Sequence, residues 1–84
     1  MFDKNQKYKI IQVINNSTKC LDDKYFYRIG RICYLSKSLE VGTPTMWLYE
    51  NSIFCKSSEV VRITKNKNKV EVETKHRTYT FALI

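Results

Sequence analysis

Alternating apolar and polar positions mark the last third of the chain, residues 58–83, as its most regular part. Three short runs with the two-residue period of a β-strand are separated by two basic turns, at 65–69 and 75–77. Because successive side chains of a strand point to opposite faces, each run has one apolar face to bury. The pattern predicts a three-stranded antiparallel meander.

The first hairpin of this meander can close in two registers. Matching of the apolar faces requires paired residue numbers to sum to an odd value, since a shift by one residue would place valines opposite charged side chains. A loop at 67–68 pairs Arg62 with Glu73, and a loop at 66–67 pairs Arg62 with Glu71. Both registers place the arginine opposite a glutamate, so both stay open.

The second hairpin is expected to close at His76 and Arg77, which places Val72 opposite Phe81. Histidine is among the non-glycine residues that are enriched at positive φ, as tight hairpin turns often require. The expected turn therefore gives His76 a structural role.

The first half of the chain contains three more β-patterned runs. In residues 8–14, both the even-numbered and the odd-numbered positions include apolar side chains, so both faces of a strand here would be apolar. This pattern predicts a strand that is covered on both sides or bends at a barrel corner. Residues 25–35 form a longer run, in which Gly30 marks a bulge or a sharp bend. Residues 45–50 alternate aromatic and aliphatic side chains. No stretch has a convincing helical period.

About six short strands in 84 residues predict an all-β fold and a single domain covering 1–84. An open meander of this size would leave two sheet edges and one apolar face exposed. We therefore expect a small barrel of five or six antiparallel strands that ends in the C-terminal three-stranded meander.

Four segments carry a resemblance to a protein family. They are Tyr-Arg-Ile-Gly at 27–30, Leu-Glu-Val-Gly-Thr-Pro at 39–44, Ser-Ser-Glu-Val-Val at 57–61 and Glu-Thr-Lys-His-Arg-Thr-Tyr at 73–79. Together they resemble small uncharacterised phage and prophage proteins of low-GC Gram-positive bacteria, which carry a Thr-Ser-x-Val element and then Thr-x-Asn-[Ser/Thr]-x-Tyr.

The resemblance covers about the last 60 residues, and two positions depart from the family pattern. Ser57 replaces the usual threonine, and His76 with Arg77 replaces the asparagine and the following serine or threonine. The resemblance implies an SH3-like barrel and a phage origin. It implies no activity, because the family has no settled one.

The formal net charge of +7 is the strongest functional signal in the composition. It favours association with a polyanionic or acidic partner through long-range attraction. The two basic turns lie at opposite ends of the predicted strand 70–74, which separates them by roughly 15–20 Å. They are not expected to form one continuous stripe along a nucleic-acid backbone.

The chain offers little with which to build an enzyme or a cofactor site. Its single histidine is expected on an exposed turn, without a carboxylate to orient it or a nucleophile beside it. Cys20, Cys33, Cys55 and His76 could supply four zinc ligands, three thiolates and one imidazole, but their spacing fits no known zinc motif. We predict no catalysis, no metal and no cofactor.

The N-terminus carries charges directly behind its first phenylalanine and contains no apolar run of signal-peptide or membrane-spanning length. Three cysteines without a CxxC pair indicate reduced thiols. We therefore expect a protein of the bacterial host's cytoplasm that does not interact with a membrane. Its oligomeric state is left open.

The leading hypothesis is a non-enzymatic phage-type protein that binds a host or defence protein or nucleoprotein, on an acidic or nucleic-acid-binding surface. Inhibition of a CRISPR nuclease is one specific version, by analogy only. The alternatives are direct nucleic-acid binding without sequence specificity and a structural role in the virion. The residues assigned to the partner-binding surface are Arg28, Arg31, Trp47, Tyr49, Lys65, Lys67, Lys69, Lys75 and Arg77.

Overall fold

The sheet closes into a ring because its first and last strands pair with each other. The computed structural model describes residues 2, 5–21, 29–37 and 39–84, which contain seven antiparallel strands in one sheet. The strands are β1 (Tyr8–Asn15), β2 (Cys20–Leu21), β3 (Ile32–Leu35), β4 (Pro44–Tyr49), β5 (Phe54–Lys65), β6 (Lys69–Thr74) and β7 (Arg77–Leu83).

The order of strands in the sheet is β2-β1-β3-β4-β5-β6-β7, and β7 also pairs with β1. Six strands therefore close the ring, and the two-residue β2 pairs with the end of β1. This arrangement confirms the predicted all-β fold, a small barrel of antiparallel strands. Strands β5, β6 and β7 are the predicted meander.

Strand β1 changes the face that points into the barrel part-way along its length. Its pairing with β7 shifts between Ile10 and Gln12, so Ile11 is the extra residue of a β-bulge. Ile10 and Val13 are both buried, although strict alternation would place them on opposite faces. Of the two expected explanations the structure shows the bend, and the bulge explains why both faces of this strand contain apolar residues.

The centre of the core is a cluster of three aromatic rings. Trp47 is 0% exposed, and its ring centroid lies 5.0 Å from that of Tyr79 and 5.5 Å from that of Phe81. The rings meet at angles of 58° and 65°, which suits the edge-to-face attraction of aromatic quadrupoles. Strands β4 and β7, which are not neighbours in the sheet, are thereby joined through the interior.

The β5–β6 hairpin adopts the first of the two expected registers. Arg62 pairs with Glu73, and the loop lies at 67–68. The guanidinium donates to Glu73 Oε1 from Nη2 at 2.6 Å and from Nε at 3.1 Å. Both side chains lie on the outer face of the barrel, where solvent weakens the ion pair, so it favours the register rather than stabilising the fold.

The β6–β7 hairpin closes one residue earlier than expected, and the predicted register was wrong. Residues 75–76 form the turn, and Val72 pairs with Tyr79, two residues from its expected partner. Thr74 Oγ1 accepts a hydrogen bond from the N–H of Arg77 (3.1 Å) and donates one to its carbonyl (2.7 Å). The threonine side chain thus closes the turn, and a shift by two residues leaves the apolar faces matched. The histidine of this turn does not have a positive φ.

The long strand expected at 25–35 also differs from the structure. Strand β3 begins at Ile32, and positions 22–28 lie outside the described residues. Gly30 lies in the turn before β3 with a φ of 89°, and its N–H donates to the carbonyl of Ile10 at 2.7 Å. The glycine therefore marks a turn beside the bulge of β1, because only glycine adopts this φ without strain.

Polar side chains close the barrel at the end where β1 finishes and β7 begins. Asn16 donates from its backbone N–H to the carbonyl of His76 (3.0 Å) and from Nδ2 to the carbonyl of Thr74 (2.7 Å). Its Oδ1 accepts from Thr78 Oγ1 at 2.7 Å. One asparagine thus ties the turn after β1 to the last hairpin.

We expect Asn16→Ala to lower the free energy of unfolding by about 1–3 kcal/mol, because the substitution removes the partners of a carbonyl and of the buried Thr78 hydroxyl. Urea denaturation followed by circular dichroism measures the loss. Asn66→Ala, in the exposed β5–β6 loop, is the matched control and should change stability by less than about 0.5 kcal/mol. Equal losses in the two variants would contradict a stabilising role for Asn16.

Candidate functional site

The rows of inward-pointing side chains continue past the core at the other end of the barrel. Lys65 pairs with Val70, and cross-strand partners share a face, so this lysine lies on the same side as the buried valine. Tyr8 pairs with Leu83, which extends the inner row of Phe81. The inner face therefore ends in a lysine among apolar side chains.

These side chains line two adjoining open depressions with volumes of about 220 Å³ and 260 Å³. Both share Tyr8, Lys65 and Val70; the first extends to β3 and the segment after it, and the second follows the β5–β6 loop. We call the two together the lysine-rimmed mouth. We call Tyr8, Leu35, Leu39 and Val70 its floor and Lys37, Lys65, Lys67 and Lys69 its rim. The lining is completed by Gln6, Ser36, Asn66, Asn68 and Leu83.

The lysine-rimmed mouth carries charge of one sign. No acidic side chain is among the described residues that line either depression. Glu71 pairs with Thr64 and Thr80 on the face opposite to the buried valines, so the acidic side chains of β6 point away from the mouth. Four ammonium groups around a concave surface create a positive potential that attracts anionic groups.

The structure brings together three of the residues that the sequence assigned to a partner-binding surface, Lys65, Lys67 and Lys69. Lys75 and Arg77 lie in or beside the β6–β7 turn, at the other end of β6. The two basic turns are therefore separate surfaces, as the sequence analysis expected.

Two of the assigned aromatic residues belong to the core, which corrects their assignment to the partner-binding surface. Trp47 is 0% exposed and Tyr49 is 4% exposed. Arg31 lies with its Cζ 4.1 Å from the centroid of the Tyr49 ring and covers it. Trp47 and Tyr49 lie two residues apart in β4, so they share one face of the strand. That face points inward, towards the aromatic residues of β7. Arg28 lies outside the described residues.

Sequence reasoning missed the part of the mouth that lies after β3. Ser36 forms a bridge with Phe2 and donates its backbone N–H to the carbonyl of Met46 at 3.0 Å. This contact brings Lys37 and Leu39 to the edge of the barrel beside Lys65. In the sequence this stretch offers only one lysine and one leucine. Its hydrophobic and polar residues do not alternate regularly, so the pattern does not predict where the two side chains lie.

The cysteines are free, and the structure gives them no shared site. Burial raises the pKa of the Cys33 thiol to about 12, and the nearby Cys55 contributes in the same direction. The thiol therefore stays protonated and unreactive near neutral pH. The described part of the chain contains no cluster of three or more histidine, cysteine or acidic side chains that could hold a metal ion.

No protein-family model, curated protein or solved structure matches this chain. Within the described residues, no helix has the length and apolar character needed to cross a lipid bilayer. The features of this chain that bear on function are therefore the geometry and charge of the lysine-rimmed mouth.

Proposed function

We propose that the protein is a non-enzymatic, phage-type binding protein whose lysine-rimmed mouth occupies an acidic surface of a host or defence macromolecule. The observation that supports this proposal is the mouth itself, in which four lysines surround an apolar floor and the described lining contains no acidic side chain. An acidic surface is attracted over a distance by the lysines and then held by contact with the floor.

The dimensions of the mouth favour a macromolecular partner over a small molecule. Pockets that enclose small ligands typically have volumes of about 300–1,000 Å³ and bury most of the ligand surface. The two depressions, of about 220 Å³ and 260 Å³, are both open to solvent, so the mouth would leave much of a small ligand exposed. They suit a few side chains that project from a larger surface.

The side chains available favour a protein over single-stranded nucleic acid. Proteins that bind single strands stack the bases on exposed aromatic rings along a continuous basic groove. Here Trp47, Tyr79 and Phe81 are enclosed in the core, and Tyr8 is the one aromatic residue among the described lining of the mouth. The basic turns at the two ends of β6 do not form a continuous groove.

Charge reversal tests which end of the barrel binds the partner. We expect Lys65→Glu/Lys67→Glu to reduce capture of a partner protein from a nuclease-treated bacterial lysate at least tenfold, because like charges then face each other across the interface. The double variant Lys19→Glu/Lys75→Glu has the same net charge and alters exposed lysines outside the mouth, so it should capture the partner as the wild type does. Loss of capture in the second variant alone would contradict the proposal.

A nucleic-acid control completes the test. The wild-type protein is titrated against a labelled 20-nucleotide strand at several salt concentrations. Direct nucleic-acid binding predicts micromolar affinity that decreases steeply with salt, with a slope of about −0.7 in log–log units per phosphate neutralised. Such binding, together with loss of all capture after nuclease treatment, would replace the proposed function with nucleic-acid binding.

A further inference from the structure

We infer that the occupant of the lysine-rimmed mouth is a short, extended acidic peptide segment that places one aliphatic side chain on the floor between flanking carboxylates. This inference rests on the proposed function, because it names the part of the partner that the mouth contacts. The observation that supports this inference is that apolar side chains and lysines line the same depressions.

The floor is the exposed end of the hydrophobic core. Leu35 and Val70 are 7% and 8% exposed, whereas Tyr8 and Leu39 are only partly buried and pack against the core. An aliphatic side chain placed on these four residues would continue the packing of the core outward and remove apolar surface from water on both partners. A purely ionic ligand would leave this surface exposed.

Lysines from two separate elements line that floor. Lys65 lines both depressions from the end of β5, and Lys37 lines the first depression from the segment after β3. A peptide with acidic residues on both sides of its aliphatic residue can therefore pair with both lysines. An ammonium group is a compact point charge that accepts a carboxylate in many orientations. The described lining contains no arginine, whose planar fork favours bidentate binding of phosphate.

The shape of the mouth favours an extended segment. The two depressions share Gln6, Tyr8, Lys65 and Val70, so together they form one continuous surface from the segment after β3 to the β5–β6 loop. Lys67 and Lys69 continue the basic rim along the second depression. An extended chain rises by about 3.3 Å per residue, so a segment of five residues spans roughly 15 Å and contacts both depressions.

The probe is the peptide Asp-Glu-Leu-Asp-Glu-amide with fluorescein on its N-terminus, and binding is measured by fluorescence anisotropy and by ¹H–¹⁵N correlation spectra of the whole protein. We expect the largest amide shifts at Leu35, Lys37, Leu39 and 65–70. A peptide with serine in place of leucine should bind at least fivefold more weakly, and a peptide with amides in place of its carboxylates at least tenfold more weakly. Five-nucleotide oligo(dT) with the same label carries four phosphate charges, which match the four carboxylates of the peptide, and should bind more weakly than the probe.

Lys37→Glu tests the rim with a residue that lies in a loop and supports no strand. We expect it to weaken binding of the probe at least fivefold, whereas Lys19→Glu, in the exposed turn after β1, should leave affinity unchanged. Amide spectra of both variants report directly whether the fold is retained. Equal affinity of Lys37→Glu and the wild type would overturn the inference.

Three other results would also overturn it: no binding of the probe at millimolar concentration, equal affinity for the serine peptide, or tighter binding of oligo(dT). These failures are separate from failure of the proposed function. If Lys65→Glu/Lys67→Glu loses the captured protein while the probe does not bind, the mouth recognises a folded acidic surface. In that case the proposed function stands and the peptide inference is rejected.

Discussion

Trp47→Ala is expected to leave little folded protein at room temperature. The side chain is fully buried and contacts the rings of Tyr79 and Phe81 at the centre of the barrel. Truncation of a buried tryptophan to alanine costs about 3–5 kcal/mol through lost burial and the cavity that remains. A domain of this size has a net stability of only a few kcal/mol, so the substitution removes most or all of it.

Thermal denaturation followed by circular dichroism and amide spectra measures this effect. Phe54→Ala is the matched control, because Phe54 is an aromatic residue of β5 that is 62% exposed, and its loss should cost far less than 3 kcal/mol. Trp47→Phe retains one ring in the cluster and should give an intermediate stability. A Trp47→Ala variant as stable as the wild type would show that the indole is not part of the core and would return it to the partner-binding surface.

Cys33 should make the protein unstable in alkaline solution. Burial, with a contribution from Cys55, raises the pKa of this thiol to about 12 from about 9 in an exposed chain. The unfolded state therefore releases the proton at a lower pH than the folded state does. The stability from the neutral buried thiol is fully present below about pH 9 and decreases as the pH rises towards 12. A pKa difference of three units corresponds to a loss of at most about 4 kcal/mol in the free energy of unfolding.

Urea denaturation between pH 8 and pH 12 gives the free energy of unfolding at each pH, and the slope of that free energy against pH measures this contribution. Lysine and tyrosine side chains also titrate in this range, so the comparison is between variants at each pH. Cys33→Ala should show a shallower loss of stability with pH than the wild type does. Cys20→Ala alters an exposed cysteine and should keep the wild-type slope. Identical slopes in all three proteins would mean that Cys33 is not buried in the folded state.

The sequence alone was sufficient for features that depend on short-range alternation. The two-residue period of 58–83 predicted the meander, and the rule that apolar faces must match reduced the β5–β6 hairpin to two registers. Both contained an Arg62–Glu pair, so the charges alone could not select between them. The apolar character of both faces at 8–14 left two explanations, cover on both sides or a bend, and the bulge at Ile11 shows that the strand bends.

The sequence also predicted that Lys65, Lys67 and Lys69 lie apart from Lys75 and Arg77. Each group is adjacent to one end of the same strand, and a β-strand has a fixed length per residue. This local geometry does not depend on the rest of the fold. The separation of the two basic groups therefore holds for any strand order.

The tertiary structure decided the remaining questions, because they depend on contacts between residues that are distant in the chain. Pairing of β1 with β7 closes the barrel, and closure encloses the aromatic residues of β4 that alternation alone could not assign to the inside or the outside. The bridge of Ser36 with Phe2 brings Lys37 beside Lys65 across the open end. A row of lysines becomes a rimmed groove only when the strands of a closed sheet bring their ends to one place.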